Sequence, residues 1–96
     1  MNDVGIYIKD WCGYCALAEE LLSRKGVNYR VFDITNDSAG QAHMVRKSGR
    51  KTVPQIFIGN RHIGGSDDLI AAEFSGQLDG LLLATGDGAL SPVEQT

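Results

Sequence analysis

Cys12 and Cys15 stand three positions apart in the run Cys12-Gly13-Tyr14-Cys15, and the 96-residue chain has no other cysteine. Two thiols at that spacing lie about one helical turn apart, close enough to form a small disulfide ring and reopen it. The chemistry this suggests is thiol–disulfide exchange. A structural zinc site would need four ligands, and the two histidines, His43 and His62, lack the paired spacing that would complete such a set. Nor can cysteines this close staple distant parts of a fold, as the cysteines of small secreted domains do, so a reducing compartment suits them.

The flanking segments predict how the pair is held. Val4-Gly5-Ile6-Tyr7-Ile8 is an apolar, β-branched run of strand length ending just before the cysteines. From Tyr14 to Lys25, Leu17, Ala18, Leu21 and Leu22 recur at helical spacing. Glu19 and Glu20 lie opposite, and Gly26 is the expected stop. Cys12 therefore falls at a helix start, where free N–H groups and the positive end of the helix dipole favour a thiolate; Lys9 adds a nearby positive charge. Cys15 falls one turn inside the helix. This makes Cys12 the attacking thiol and Cys15 the resolving one.

Tyr29-Arg30-Val31-Phe32-Asp33-Ile34 alternates in period two and completes a strand–helix–strand unit, whose short connection implies a right-handed parallel crossover. Asp37 or Ser38 can cap a second helix running through Ala42, Met44, Val45 and Lys47 and closed by Gly49. Val53 to Ile58, the turn Gly59-Asn60 and Arg61-His62-Ile63 read as a hairpin, with Pro54 at the first strand position, where its missing N–H costs least. Gly64-Gly65 reads as a tight turn, and Ser66 as the N-cap of a third helix from Asp67 to about Ser75. Leu78 to Ala84 adds a final turn or two. The order βαβαββα predicts an α/β domain over residues 1–84: a four-stranded mixed sheet flanked by helices, the layout of a thioredoxin-like fold. Residues 85–96 read as a frayed tail.

Composition narrows the function classes. Hydrophobic residues make up 43% of the chain, enough for one compact domain with a modest core. A net charge of -3 with scattered Lys and Arg gives no footprint for nucleic acid. No membrane-spanning run or signal-peptide pattern is read at the N-terminus, so a cytoplasmic protein is expected.

Three segments together carry a family resemblance: Lys9-Asp10-Trp11-Cys12-Gly13-Tyr14-Cys15, Thr52-Val53-Pro54-Gln55-Ile56-Phe57-Ile58 and Gly64-Gly65-Ser66-Asp67-Asp68-Leu69. In order and spacing they resemble the signature segments of glutaredoxins, most closely the small bacterial dithiol members, across residues 4 to about 83. The resemblance implies an enzyme that reduces protein disulfides and glutathione mixed disulfides, with glutathione as co-substrate. It also implies that Lys9 and Gln41 hold the glycyl carboxylate of glutathione. A cis Val53–Pro54 bond would present the Val53 backbone, after Thr52, to pair with the glutathione cysteine. Gly65, Ser66 and the helix start would receive the γ-glutamyl carboxylate, and Asp67 the ammonium. Tyr14 would pack beside the bound sulfur, while Trp11 shields the rim or packs on the surface.

One departure matters. Gly13 stands where many dithiol members carry proline. In glutaredoxins a small residue here is associated with a [2Fe-2S] cluster held between two subunits by the first cysteines and two glutathione thiolates. The resemblance therefore implies two activities, a monomeric reductase or a cluster-bridged dimer acting as carrier or sensor. A reductase fed by thioredoxin reductase, with Lys9, Ser66 and Asp67 incidental, is the third reading.

Overall fold

The computed structural model describes residues 2–83. Its elements are β1 (Val4–Ile8), α1 (Gly13–Arg24), β2 (Arg30–Asp33), α2 (Ser38–Ser48), β3 (Gln55–Ile58), β4 (Arg61–Gly64), α3 (Ser66–Phe74) and α4 (Gln77–Leu83). The strands form one mixed sheet in the order β2-β1-β3-β4, with β1 parallel to β2 and antiparallel to β3, and β3 antiparallel to β4. The four-stranded mixed sheet with flanking helices is the thioredoxin-like fold expected, with the C-terminal turns forming a separate helix, α4. Ala84 and the tail 85–96 lie outside the described residues.

Alternation along the central strands divides the core between the two faces of the sheet. Val4, Ile6, Ile56 and Ile58 point to one face and pack with Ala18, Leu21 and Leu22 of α1, Leu69 of α3, and Leu78 and Leu82 of α4. Tyr7 and Phe57 point to the other and pack with Ile34 and with Met44 of α2. Complete burial of Ile6, Leu22, Ile56 and Leu69 contributes about 1.5–3 kcal/mol per side chain, which clamps α1 and α3 to the same face of the sheet. The starts of both helices are thereby held beside one end of it.

Three local expectations are corrected. The second strand was expected to span Tyr29–Ile34 with alternating burial; it is only Arg30–Asp33, and all four residues are exposed. β2 is an edge strand pairing with β1 alone, so neither side of it acquires full cover. Pro54 precedes the strand rather than opening it, since β3 begins at Gln55. The N-cap of α3 is Gly65, not Ser66, which is the first helical residue and is buried. Asp68, three residues past the cap, accepts from the Gly65 N–H at 2.9 Å, the N3-to-cap half of a capping box, while the glycine has no side chain to accept from the helix in return. Among the described residues no helix is long and apolar enough to cross a membrane.

Candidate active site

Cys12 caps α1 from an extended conformation, and its Sγ accepts a hydrogen bond from the Cys15 N–H at 3.2 Å. An N–H aimed at sulfur from the first turn of a helix is suited to holding negative charge there. The Cys12 thiol in turn donates towards the Val53 carbonyl, 3.8 Å away. Both cysteines are free thiols, Cys12 partly accessible and Cys15 buried. Burial pushes the Cys15 thiol up to about 12. Its hydrogen bond to Cys12 and the negative charge of Cys12 push the same way, while the Lys9 backbone pulls it down. The pair is thus unequal, with one reachable sulfur and one held protonated behind it.

The loop that delivers Cys12 is anchored from the neighbouring strand. The Asp10 N–H donates to Thr35 Oγ1 at 2.8 Å, and the Thr35 hydroxyl donates to Asp33 Oδ1 at 2.6 Å. The Thr35 hydroxyl and, after it, the Thr35 N–H, which donates to the same oxygen at 3.0 Å, hold the Asp33 carboxyl below the usual carboxylate range. Between the anchor and the cysteine, Trp11 takes a left-handed φ of 60°, uncommon for a bulky residue, and its side chain is 101% exposed. It stands free in solvent, where a shielding or packed position was expected.

Beside Cys12 lies a cleft of about 200 Å³ lined by Tyr14, Arg50, Thr52, Val53, Pro54, Gly65, Ser66, Asp67 and Asp68. The structure thus brings together seven of the residues singled out from the sequence: Tyr14, Thr52, Val53, Pro54, Gly65, Ser66 and Asp67. The Val53–Pro54 peptide bond is cis. Lys9 and Gln41 are not among the lining residues. Lys9 follows the end of β1, and Gln41 sits in the first turn of α2, its N–H bonded to the Asp37 carbonyl.

Two lining residues escaped the sequence reading. Arg50 Nη1 meets Asp68 Oδ2 at 3.1 Å, which places a guanidinium at the mouth of the cleft. The Gly65 N–H, and after it Arg50, hold the Asp68 carboxyl below its ordinary range. An acidic residue three past a helix cap is a recognisable capping signal and would have pointed to Asp68 had the cap been placed at Gly65 rather than Ser66. Nothing local pointed to Arg50. Gly64 closes the corner with φ 122°, and a Cβ there would collide with the Asp68 carboxylate, so only glycine fits. Among the described residues no group of three or more His, Cys, Asp or Glu side chains gathers to hold a metal ion.

Comparison with known proteins agrees with this geometry. Residues 4–63 match the family model described as Glutaredoxin. The chain is 50% identical over 82 residues to Glutaredoxin 3 of Escherichia coli (strain K12), covering 85% of this chain and 99% of that protein. It is 48% identical over 84 residues to a glutaredoxin of Pseudomonas aeruginosa, covering 88% and 100%. Among solved structures, the solution structure of glutaredoxin from Brucella melitensis superposes with a TM-score of 0.76 at 50% identity, covering 85% of this chain and 89% of that one. The crystal structure of a buckwheat glutaredoxin–glutathione complex gives 0.77 at 33% identity, covering 84% and 76%.

Proposed function

The chain belongs to the glutaredoxin family, and from that premise we propose that this thiol–disulfide oxidoreductase is driven by glutathione, acting in the cytoplasm as a monomer on glutathionylated and disulfide-bearing proteins. One observation carries the reading: the partly accessible Cys12 contacts Val53, a wall residue of a cleft that offers a backbone edge at Val53, a helix start at Gly65–Ser66, and the charges of Arg50 and Asp67. Glutathione has two carboxylates, an ammonium and a peptide backbone, and these walls supply a complementary partner for each. That a buckwheat relative was crystallised as a glutathione complex supports the same ligand.

In the first half-reaction the Cys12 thiolate attacks the glutathione sulfur of a protein–glutathione mixed disulfide. A Cys12–glutathione bond forms, and the protein leaves as a thiolate that takes up a proton. A second glutathione thiolate then attacks the glutathione sulfur on Cys12, releasing oxidised glutathione and restoring the Cys12 thiolate. With a protein disulfide, Cys12 forms a mixed disulfide with one protein sulfur and Cys15 attacks Cys12 Sγ, which frees the reduced protein. Two glutathiones then reopen the Cys12–Cys15 bond. The order of attack follows from access: Cys12 is partly exposed, whereas Cys15 is buried and its thiol is pushed up, chiefly by burial.

The test is a glutathione-coupled assay on a glutathionylated peptide and on a protein disulfide. Cys12→Ser abolishes turnover of both, while Cys15→Ser keeps the first and loses the second. A fully active Cys12→Ser variant would sink the scheme. Absorbance of protein purified anaerobically with glutathione tests the cluster-bridged dimer: iron–sulfur bands in a dimeric species would favour that activity over the reductase.

A further inference from the structure

Gln55 is the first residue of β3 and is completely buried, 0% exposed, on the sheet face that carries Tyr7 and Phe57. A buried amide needs partners at both ends, and Gln55 has both. Its Nε2 donates to Thr52 Oγ1 at 3.1 Å, and its Oε1 lies 2.7 Å from His62 Nε2 on β4. Because Oε1 can only accept, the His62 nitrogen facing it carries the proton. His62 is itself set by the pairing of β3 with β4, where Phe57 and His62 are Cα partners with ring centroids 4.9 Å apart.

The chain therefore has one direction. His62 donates to Gln55, and Gln55 donates to Thr52. Accepting that bond leaves the Thr52 hydroxyl proton unused, and among the described residues it donates to nothing else. Thr52 lines the cleft beside Cys12, whereas Gln55 and His62 do not. A hydroxyl whose lone pair is engaged from behind presents its hydrogen to whatever occupies the cleft, and a donor there suits an anion.

We propose that Gln55 and His62 are positioning residues that set the polarity of the Thr52 hydroxyl, turning it into a donor for a carboxylate of glutathione bound in the cleft. This rests on the glutathione reading above and adds the residues that orient one of its contacts without touching the ligand. Gln55→Glu reverses the relay. A carboxylate accepts from both sides, so the Thr52 proton turns inward and its lone pairs face the substrate's negative charge.

The test measures KM and kcat for a glutathionylated peptide with saturating glutathione reductase. In Gln55→Glu, KM rises about tenfold, the size of one lost hydrogen bond to a charged group, while kcat stays within about twofold. In His62→Phe, which removes the donor that fixes the amide, KM rises about threefold. In a Thr52→Val background Gln55→Glu adds nothing further, because the hydroxyl it would turn is gone. A purely structural role would instead lower the melting temperature and act independently of Thr52. Should Gln55→Glu fail to fold, the partly exposed His62 carries the test alone, and an unchanged KM in His62→Phe overturns the inference. If the wild type does not turn over the glutathionylated peptide, the glutathione reading itself fails. If the wild type is active and both variants keep its KM, only the relay fails.

Discussion

The Cys15 backbone N–H donates to Cys12 Sγ at 3.2 Å, yet Cys15 is only 3% exposed and its thiol pKa is pushed up to about 12. One residue thus plays two opposite parts, supporting charge on its partner's sulfur through its backbone while its own sulfur is denied charge by burial. The division follows from placing two thiols one turn apart at a helix start. The first caps the helix, and the second already lies on the face that packs against the sheet.

This asymmetry predicts selective alkylation. At neutral pH iodoacetamide should attach one label per native chain, on Cys12. Cys15 should react only when pH approaches 12 or after denaturation, because the thiolate is the reactive species. Peptide mapping by mass spectrometry checks it; equal labelling of both cysteines in the native chain at pH 7 would contradict the assigned roles.

Gly64→Ala should destabilise the fold by about 2–3 kcal/mol, combining a left-handed φ with displacement of a neighbour. The neighbour is the Asp68 carboxylate, which must give up its bond to the Gly65 N–H or its contact with Arg50. Urea unfolding should show the loss in the midpoint, and glutathione-dependent turnover should fall with it, since Arg50, Gly65 and Asp68 all line the cleft.

Asp68 also predicts an acid limb of stability. Its carboxyl is held below the ordinary value, so its contribution is fully present above the unfolded pKa near 4 and is lost as pH falls through the folded value. Asp68→Asn should lower the melting temperature at pH 7 by about 2–4 °C, for a partly exposed charge at a helix N-terminus contributing about 0.5 kcal/mol. The two melting curves should converge as pH falls from about 4 through the lowered folded value. A gap that persists undiminished at low pH would mean that the carboxylate charge is not what stabilises the helix start.

Much of this molecule is legible without coordinates because its signals are local. Apolar runs of strand length, the helical spacing of Ala18, Leu21 and Leu22, and glycines after the first two helices each act within a few residues of themselves. Cys12 and Cys15 are legible for the same reason, since their spacing and their place before a helix contain the redox chemistry. Where local signals misled, a neighbour was missing from the reading. Alternation over Tyr29–Ile34 could not reveal that β2 lies at an edge, and Ser66 read as a cap because serine commonly is one, though Gly65 holds that position and Asp68 accepts its N–H.

The sequence by itself determined the order of elements, the redox pair and, through three separated segments, the family. Only the tertiary structure decided what meets what around the sulfur. Asp10 and Thr35 are 25 residues apart, Cys12 and Val53 are 41 apart, and Arg50 and Asp68 are 18 apart. Gln55, read from sequence as an ordinary strand residue, proves to be fully buried between Thr52 and His62. Such contacts arise when burial of the sheet's two faces draws distant segments to one end of it. That drive depends on the area removed from water and carries no record of which polar groups are brought together on the way.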